Sequence, residues 1–97
     1  MLEHFTAKNL TVDGHEFNGA IIEDASKGLR LVYEVGNSYK HWMIWNDTGD
    51  KGFICPEPQT WVVDAPNLGL PDEETGLRIL SPGETWGDSC KIYIQEI

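Results

Sequence analysis

The sequence predicts an all-β fold built from antiparallel sheets, and three observations support this fold class. Hydrophobic residues repeat every two positions rather than every 3.6 wherever the periodicity is clear. Glycine-containing turns of hairpin length separate the strand-like runs. No segment of about 10 to 12 residues has helical periodicity. The 97-residue chain is expected to form a single domain, residues 1–97, because domains usually span about 100 to 200 residues.

Strand candidates occupy most of the first half of the chain. Weaker patterns predict strands near residues 5–12 and 17–23. The clearest alternation lies in residues 29–35, where only Val32 departs from it. The apolar residues that share one face of this run are Leu29, Leu31, Tyr33 and Val35. Because side chains alternate across a strand, these four are expected to line one face of a sheet.

The second half of the chain adds further strands, for about six to eight in total. Residues 41–46 are apolar on both faces, which is typical of a central strand that is covered on both sides. Weaker candidates cover residues 52–57 and 77–80. Alternation at the C-terminus predicts a strand with an apolar face of Cys90, Ile92 and Ile94 and a wetter face of Lys91, Tyr93 and Gln95.

Turn residues lie between these runs. Residues 24–28 and 46–52 contain glycine and have the length of hairpin loops, which predicts antiparallel connections. Residues 81–84 place Pro and then Gly at the central positions, the signature of a type II turn. The segment between Glu57 and Gly76 is long and rich in proline, and connections of this length are usually functional. At most residues 72–76 form a helical turn.

Charge and hydropathy exclude several classes of function. Seven Lys and Arg oppose 16 Asp and Glu, for a net charge of −9, so the surface repels the phosphates of nucleic acids. No apolar run approaches the roughly 18 residues of a membrane-spanning helix. The N-terminus lacks a basic segment followed by an apolar one, as an export signal requires. We therefore expect a cytoplasmic protein that binds neither nucleic acid nor membranes.

Cysteine and histidine residues indicate neither a disulfide framework nor a metal centre. The two cysteines, Cys55 and Cys90, are expected to be free thiols. The spacing of His4, His15 and His41 fits no short metal-binding signature, which predicts scattered histidines on the surface or in strands.

The residues best suited to chemistry surround Glu57, which lies between Pro56 and Pro58. Proline restricts its own backbone and that of the preceding residue, so Glu57 is expected on a stiff, extended chain. Strand alternation would place Glu57 at the end of an apolar row with Phe53 and Cys55. A carboxylate in such a place holds its proton more tightly, which suits a proton-transfer catalyst. The alternative is a surface glutamate at a stiffened strand end.

Three ordered blocks carry a specific resemblance. They are Glu57-Pro58-Gln59, Asp64-Ala65-Pro66-Asn67 and Leu80-Ser81-Pro82-Gly83-Glu84, and together they closely resemble the C-terminal segment of the aldose 1-epimerases, the galactose mutarotase family. A weaker similarity to the family extends upstream. It includes the run from Thr11 to Phe17 and the strands through Trp42 and Trp45. The resemblance covers most of this chain. It corresponds to only about the last third of a full family member.

The resemblance implies the C-terminal part of an antiparallel β-sandwich that interconverts the α and β anomers of free aldoses, such as galactose and glucose, without a metal or organic cofactor. Glu57 matches the family's catalytic base, which removes the proton from the C1 hydroxyl. Asp13 matches a residue that binds sugar hydroxyls, and Gln59 belongs to the matching run. Trp61 is a further predicted substrate contact, since sugar sites often use an indole face.

The family's general acid, a histidine in an Asn-His motif, has no counterpart in this chain, because His4, His15 and His41 each lack its context. The expected partners are an aldohexose monosaccharide and either a second copy of the chain or a complementary N-terminal polypeptide. Two functions therefore stay open. One is an aldose 1-epimerase with Glu57 as base, either excised from a longer parent or completed by a second polypeptide that carries the histidine. The other is a catalytically silent carbohydrate-binding or vestigial domain.

Overall fold

The computed structural model describes the whole chain, Met1–Ile97, which forms seven strands and almost no helix. The strands are β1 (Leu2–Thr6), β2 (Asn9–Val12), β3 (His15–Asp24), β4 (Leu29–Val35), β5 (His41–Trp45), β6 (Cys55–Gln59) and β7 (Cys90–Glu96). Helical structure is limited to a 3₁₀ turn, Ala65–Asn67, and to α1 (Asp72–Thr75). All strand pairs are antiparallel, which confirms the predicted all-β antiparallel class. No helix is long and apolar enough to cross a membrane.

The chain divides into two compact units, each with its own sheet. The three-stranded unit comprises Met1–Ala7 and Ser38–Gly87 and has the strand order β1-β5-β6. The four-stranded unit comprises Lys8–Asn37 and Asp88–Ile97 and has the order β2-β3-β4-β7. That residues 1–97 form a single domain stays a prediction.

In the three-stranded unit, β5 is the middle strand and β6 is an edge strand. The central position predicted for residues 41–46 is therefore confirmed, although β5 is covered unevenly, with Trp42 buried and Trp45 exposed. Pro56 and Pro58 lie opposite Ile44 and Trp42 in the register of β6 with β5. An edge strand tolerates two prolines because one of its sides needs no backbone donor.

In the four-stranded unit, the core cluster lies on the face of Val32, opposite the apolar row that the alternation of residues 29–35 predicts. Val32 is fully buried and forms the core cluster with Val12 and Phe17. Leu10, Ile21 and Tyr93 pack against this cluster. Val32, which departs from the alternation of residues 29–35, is therefore a core residue, because β4 is an interior strand with apolar side chains on both faces.

The face assignment of the C-terminal strand is also wrong. Tyr93, predicted on the wetter face, packs against the core cluster. Ile92 and Ile94, predicted on the apolar face, are 58% and 66% exposed. Alternation is present as predicted, so only the choice of the buried face is inverted.

Two strand boundaries also differ from the prediction. Residues 5–12 are not one strand. Strand β1 ends within them and β2 begins within them, and the two strands belong to different sheets. Residues 77–80 form no strand, and Ile79 in this segment is 77% exposed. Residues 77–80 pair with no strand of either sheet, so an apolar run alone does not make a strand.

The predicted connections are confirmed. Residues 24–28 join the antiparallel strands β3 and β4, and residues 46–52 lie between β5 and β6. In the turn at residues 81–84, Gly83 has a φ of +82°, and the Glu84 amide donates to the Ser81 carbonyl oxygen at 2.9 Å. A positive φ at this position is what a type II turn requires of glycine.

The burial of Val32 predicts the cost of truncating it. Val32→Ala removes two methyl groups from a fully buried site and should lower the free energy of unfolding by about 2 kcal/mol. Ile79→Ala, at an exposed site, should change it by less than about 0.5 kcal/mol. Urea unfolding followed by tryptophan fluorescence measures both, and equal losses in the two variants would contradict the core described here.

Candidate functional site

Glu57 is the central residue of β6 and lies opposite Met43 of β5. The flanking prolines, Pro56 and Pro58, belong to the same strand, so the extended backbone expected around Glu57 is present. Its side chain is half-buried. The carboxylate is thus both positioned by a stiff strand and accessible to a ligand.

Cys55 shares a sheet face with Glu57, as strand alternation predicts, while Phe53 lies before β6 begins. Cys55 and Glu57 lie two residues apart on the same strand. Burial raises the pKa of Cys55, and the hydrogen bond and negative charge of Glu57 raise that pKa further. The raised pKa favours a neutral Cys55 thiol.

The strand register places polar groups in two adjacent cross-strand rows on the face of Glu57. The first row is His4, Met43 and Glu57, and the second is Thr6, His41 and Gln59. Because every second residue of a strand points to the same side, all six residues share one face of the three-stranded sheet. Glu57, Gln59 and two histidines thus come from three strands to one surface.

His4 and His41 form a pair within this surface. Nε2 of His4 and Nδ1 of His41 lie 2.9 Å apart, within hydrogen-bond distance. His41 is buried, and its pKa is lowered by that burial and then by the charge of His4, which favours a neutral ring. The expectation of scattered histidines is wrong for this pair, since 37 residues of chain separate two rings that strand pairing brings together.

The third histidine, His15, is paired with a carboxylate. His15 lies in the four-stranded unit, where its Nε2 is 3.0 Å from a carboxylate oxygen of Glu34. No group of three or more His, Cys, Asp or Glu side chains is placed to hold a metal ion.

The segment after β6 folds back and forms one wall of a cleft. The Val62 amide donates to the Thr75 carbonyl oxygen at 2.8 Å, which ties the start of the segment to α1. Gly76 then has a φ of +82°, and a Cβ atom there would overlap the Thr60 carbonyl oxygen. Only glycine fits this close approach, so the return of the chain depends on it.

A cleft of about 600 Å³ opens next to the C-terminal end of β6. Its lining residues are Tyr39, Pro58, Gln59, Thr60, Trp61, Val63, Asp64 and Trp86. Trp61 and Trp86 are both exposed, and the Arg78 guanidinium lies 5.1 Å from the centre of the Trp86 ring. The volume and the mixture of aromatic and polar groups suit a small polar ligand with an apolar face. The sequence interpretation identified Gln59 and Trp61 but not Trp86.

Asp13 lies elsewhere in the chain, in the turn between β2 and β3 of the four-stranded unit. It is exposed and has a φ of +51°, directly before Gly14 with a φ of +80°. Aspartate tolerates this left-handed conformation better than most residues, which explains its presence in the turn. Glu57, Gln59 and Trp61 belong to the three-stranded unit, and the sugar contact of Asp13 stays a prediction.

The comparison with solved structures identifies the kind of fold. The chain is similar to the crystal structure of a galactose mutarotase-like protein from Clostridium acetobutylicum, with a TM-score of 0.94 and 44% sequence identity. The match covers 100% of this chain and 29% of the neighbour, so the chain spans less than a third of the neighbour's length. The predicted family resemblance is confirmed, while no protein-family model matches the chain.

The contact between Glu57 and Cys55 predicts a change in thiol reactivity. Glu57→Gln removes the negative charge that helps to raise the pKa of Cys55, so alkylation of Cys55 by iodoacetamide should reach half its maximal rate at a lower pH. Measured in a Cys90→Ser background, the pH profile of the wild-type chain should lie at higher pH than that of the variant. Identical profiles would show that the two side chains do not interact.

Proposed function

We propose that this chain carries the catalytic base of an aldose 1-epimerase, and that Glu57 is this base. The observation that supports it best is the placement of Glu57 at the centre of a proline-stiffened edge strand, in a chain 44% identical to a galactose mutarotase-like protein. The substrate class is the free aldohexoses, of which galactose and glucose are the examples to test.

The reaction assigns a defined role to each group. The Glu57 carboxylate accepts the proton of the C1 hydroxyl, and electrons from that O–H bond form the C1 carbonyl as the bond between C1 and the ring oxygen breaks. A general acid protonates the ring oxygen. Rotation about the C1–C2 bond presents the other carbonyl face, and ring closure in reverse delivers the other anomer and restores both groups. Acid and base must therefore lie on opposite sides of the sugar ring.

The cleft beside β6 supplies groups that can bind the sugar. The Gln59 side-chain amide can donate to and accept from sugar hydroxyls, and Gln59 lies two residues from Glu57 on the same sheet face. The exposed indole of Trp61 can cover the apolar face of a pyranose ring. Together they would hold C1 near the Glu57 carboxylate.

The general acid comes from outside this chain in the proposed mechanism. The Asn-His motif that resemblance associates with the acid has no counterpart in these 97 residues. The chain corresponds in length to 29% of its mutarotase-like neighbour, so a complementary polypeptide has room to provide the acid.

Polarimetry tests the role of Glu57. The 97 residues replace the matched segment of the Clostridium acetobutylicum protein, and mutarotation of α-galactose and α-glucose is followed with the resulting chimera. Glu57→Gln should lower the catalysed rate by about 10² to 10⁴. Glu3→Gln is the matched control, because Glu3 pairs with Ile44 and lies on the opposite face of the same sheet.

Retention of the full rate in the Glu57→Gln chimera would exclude Glu57 as the base. The free 97-residue chain, which lacks the acid, should give the buffer rate. Acceleration by the free chain would show that the acid lies within it.

A second candidate function is a catalytically silent carbohydrate-binding domain, and the exposed pair Trp61 and Trp86 in the cleft favours it. Galactose should then quench tryptophan fluorescence of the free chain, and Trp61→Ala should weaken binding by about tenfold. Glu57→Gln should bind as the wild type does. Trp45→Phe is the control, since Trp45 contacts Phe53 and does not line the cleft. Equal binding by Trp61→Ala and wild type would exclude the cleft as the sugar site.

A further inference from the structure

One face of the four-stranded sheet is apolar, and it is half-buried on β3 and β4 and exposed on β7. The register aligns Ile22, Leu31 and Ile94 in one cross-strand row and Ala20, Tyr33 and Ile92 in the next. These six residues, here called the open face, come from three adjacent strands. Ile92 and Ile94 are 58% and 66% exposed, while the opposite face of the sheet contains the buried Val32.

A continuous apolar array of this kind differs from scattered exposed residues. Single apolar side chains are common on protein surfaces, but a contiguous patch marks an interaction surface. A sheet with apolar residues on both faces needs a second layer on each of them. Ile92 and Ile94 of β7 lie in this array and are exposed. The sequence is therefore suited to a state in which the open face is covered.

We propose that the open face docks a polypeptide equivalent to the part of a galactose mutarotase-like protein that this chain lacks. The match leaves 100 − 29 = 71% of the neighbour without a counterpart here. The TM-score of 0.94 shows that these strands have the same arrangement within a chain more than three times longer. Additional layers of such a chain would cover an apolar sheet face, as in β-sandwiches, whose sheets pack by their apolar faces about 10 Å apart.

Charge favours this occupant over a second copy of the chain. Each copy has a net charge of −9, so self-association brings like charges together. Asp24 and Glu96 lie in the cross-strand row next to the open face, on the same side of the sheet. Lys27 is 3.9 Å from Asp24, and no residue is paired with Glu96 by a salt bridge. A fitting partner therefore has an apolar patch with basic side chains at one edge.

The choice of partner rests on the proposed function, since the same polypeptide would bring the general acid. The docking experiment uses two separate polypeptides. One is the 97-residue chain, and the other is the Clostridium acetobutylicum protein without its matched segment. They are co-expressed and purified by a tag on the longer polypeptide, and sedimentation velocity then measures the complex. We expect a one-to-one complex.

Variants locate the interface. Ile94→Asp places a charge in the buried contact and should weaken association by about 100-fold or more. Because Ile94 is exposed in the free chain, its thermal melting should change little. Ile94→Ala is a milder second variant that keeps the strand apolar. Ile79→Asp, at a site 77% exposed in the three-stranded unit, is the matched control and should bind like the wild type.

Three outcomes would overturn the proposal: no co-purification of the chain with the longer polypeptide, a complex unaffected by Ile94→Asp, or a homodimer of the free chain that Ile94→Asp dissociates. The covalent chimera separates this proposal from the assignment of function. An active chimera without association of the separate pieces disproves docking and leaves the function standing. A stable complex with an inactive chimera supports docking and disproves the function.

Discussion

The pairing of β5 with β1 on one side and β6 on the other is the interaction on which the candidate site depends. In this register Met43 of β5 lies between two partners, with Glu57 of β6 on one side and His4 of β1 on the other. Each pairing fixes which side chains share a face, because a slip by one residue would send every side chain to the opposite face. Glu57, Gln59 and the histidine pair therefore share a surface only in this register.

Proline has a double effect on β6. Pro56 and Pro58 stiffen the backbone around Glu57, and they also confine this strand to the edge of its sheet, because an interior strand needs donors on both sides. An edge position leaves the neighbourhood of Glu57 free for the segment that follows. That segment returns through Gly76 and forms the cleft wall with Trp61. Pro58 thus both stiffens the strand at Glu57 and lines the cleft that follows it.

The four-stranded sheet poses a different physical problem. Its two faces are both apolar, and the exposed fractions show that Val32 and its neighbours are buried while Ile92 and Ile94 are not. The stabilising free energy of hydrophobic burial is proportional to the apolar area removed from water. The exposed apolar area of the open face therefore adds no stability to the free chain. A partner that covers this face would stabilise the fold.

Local chemistry in the sequence determined much of this protein. Alternation and turn residues were sufficient for the antiparallel class, for the hairpin at residues 24–28 and for the stiff backbone at Glu57, because each depends on neighbours along the chain. Tertiary structure was needed for the buried side of β4 and β7, for the absence of a strand at residues 77–80 and for the pairing of His4 with His41. These features depend on which strand, distant in the sequence, lies alongside. A two-residue period does not determine the buried face, because it is the same whichever face is covered.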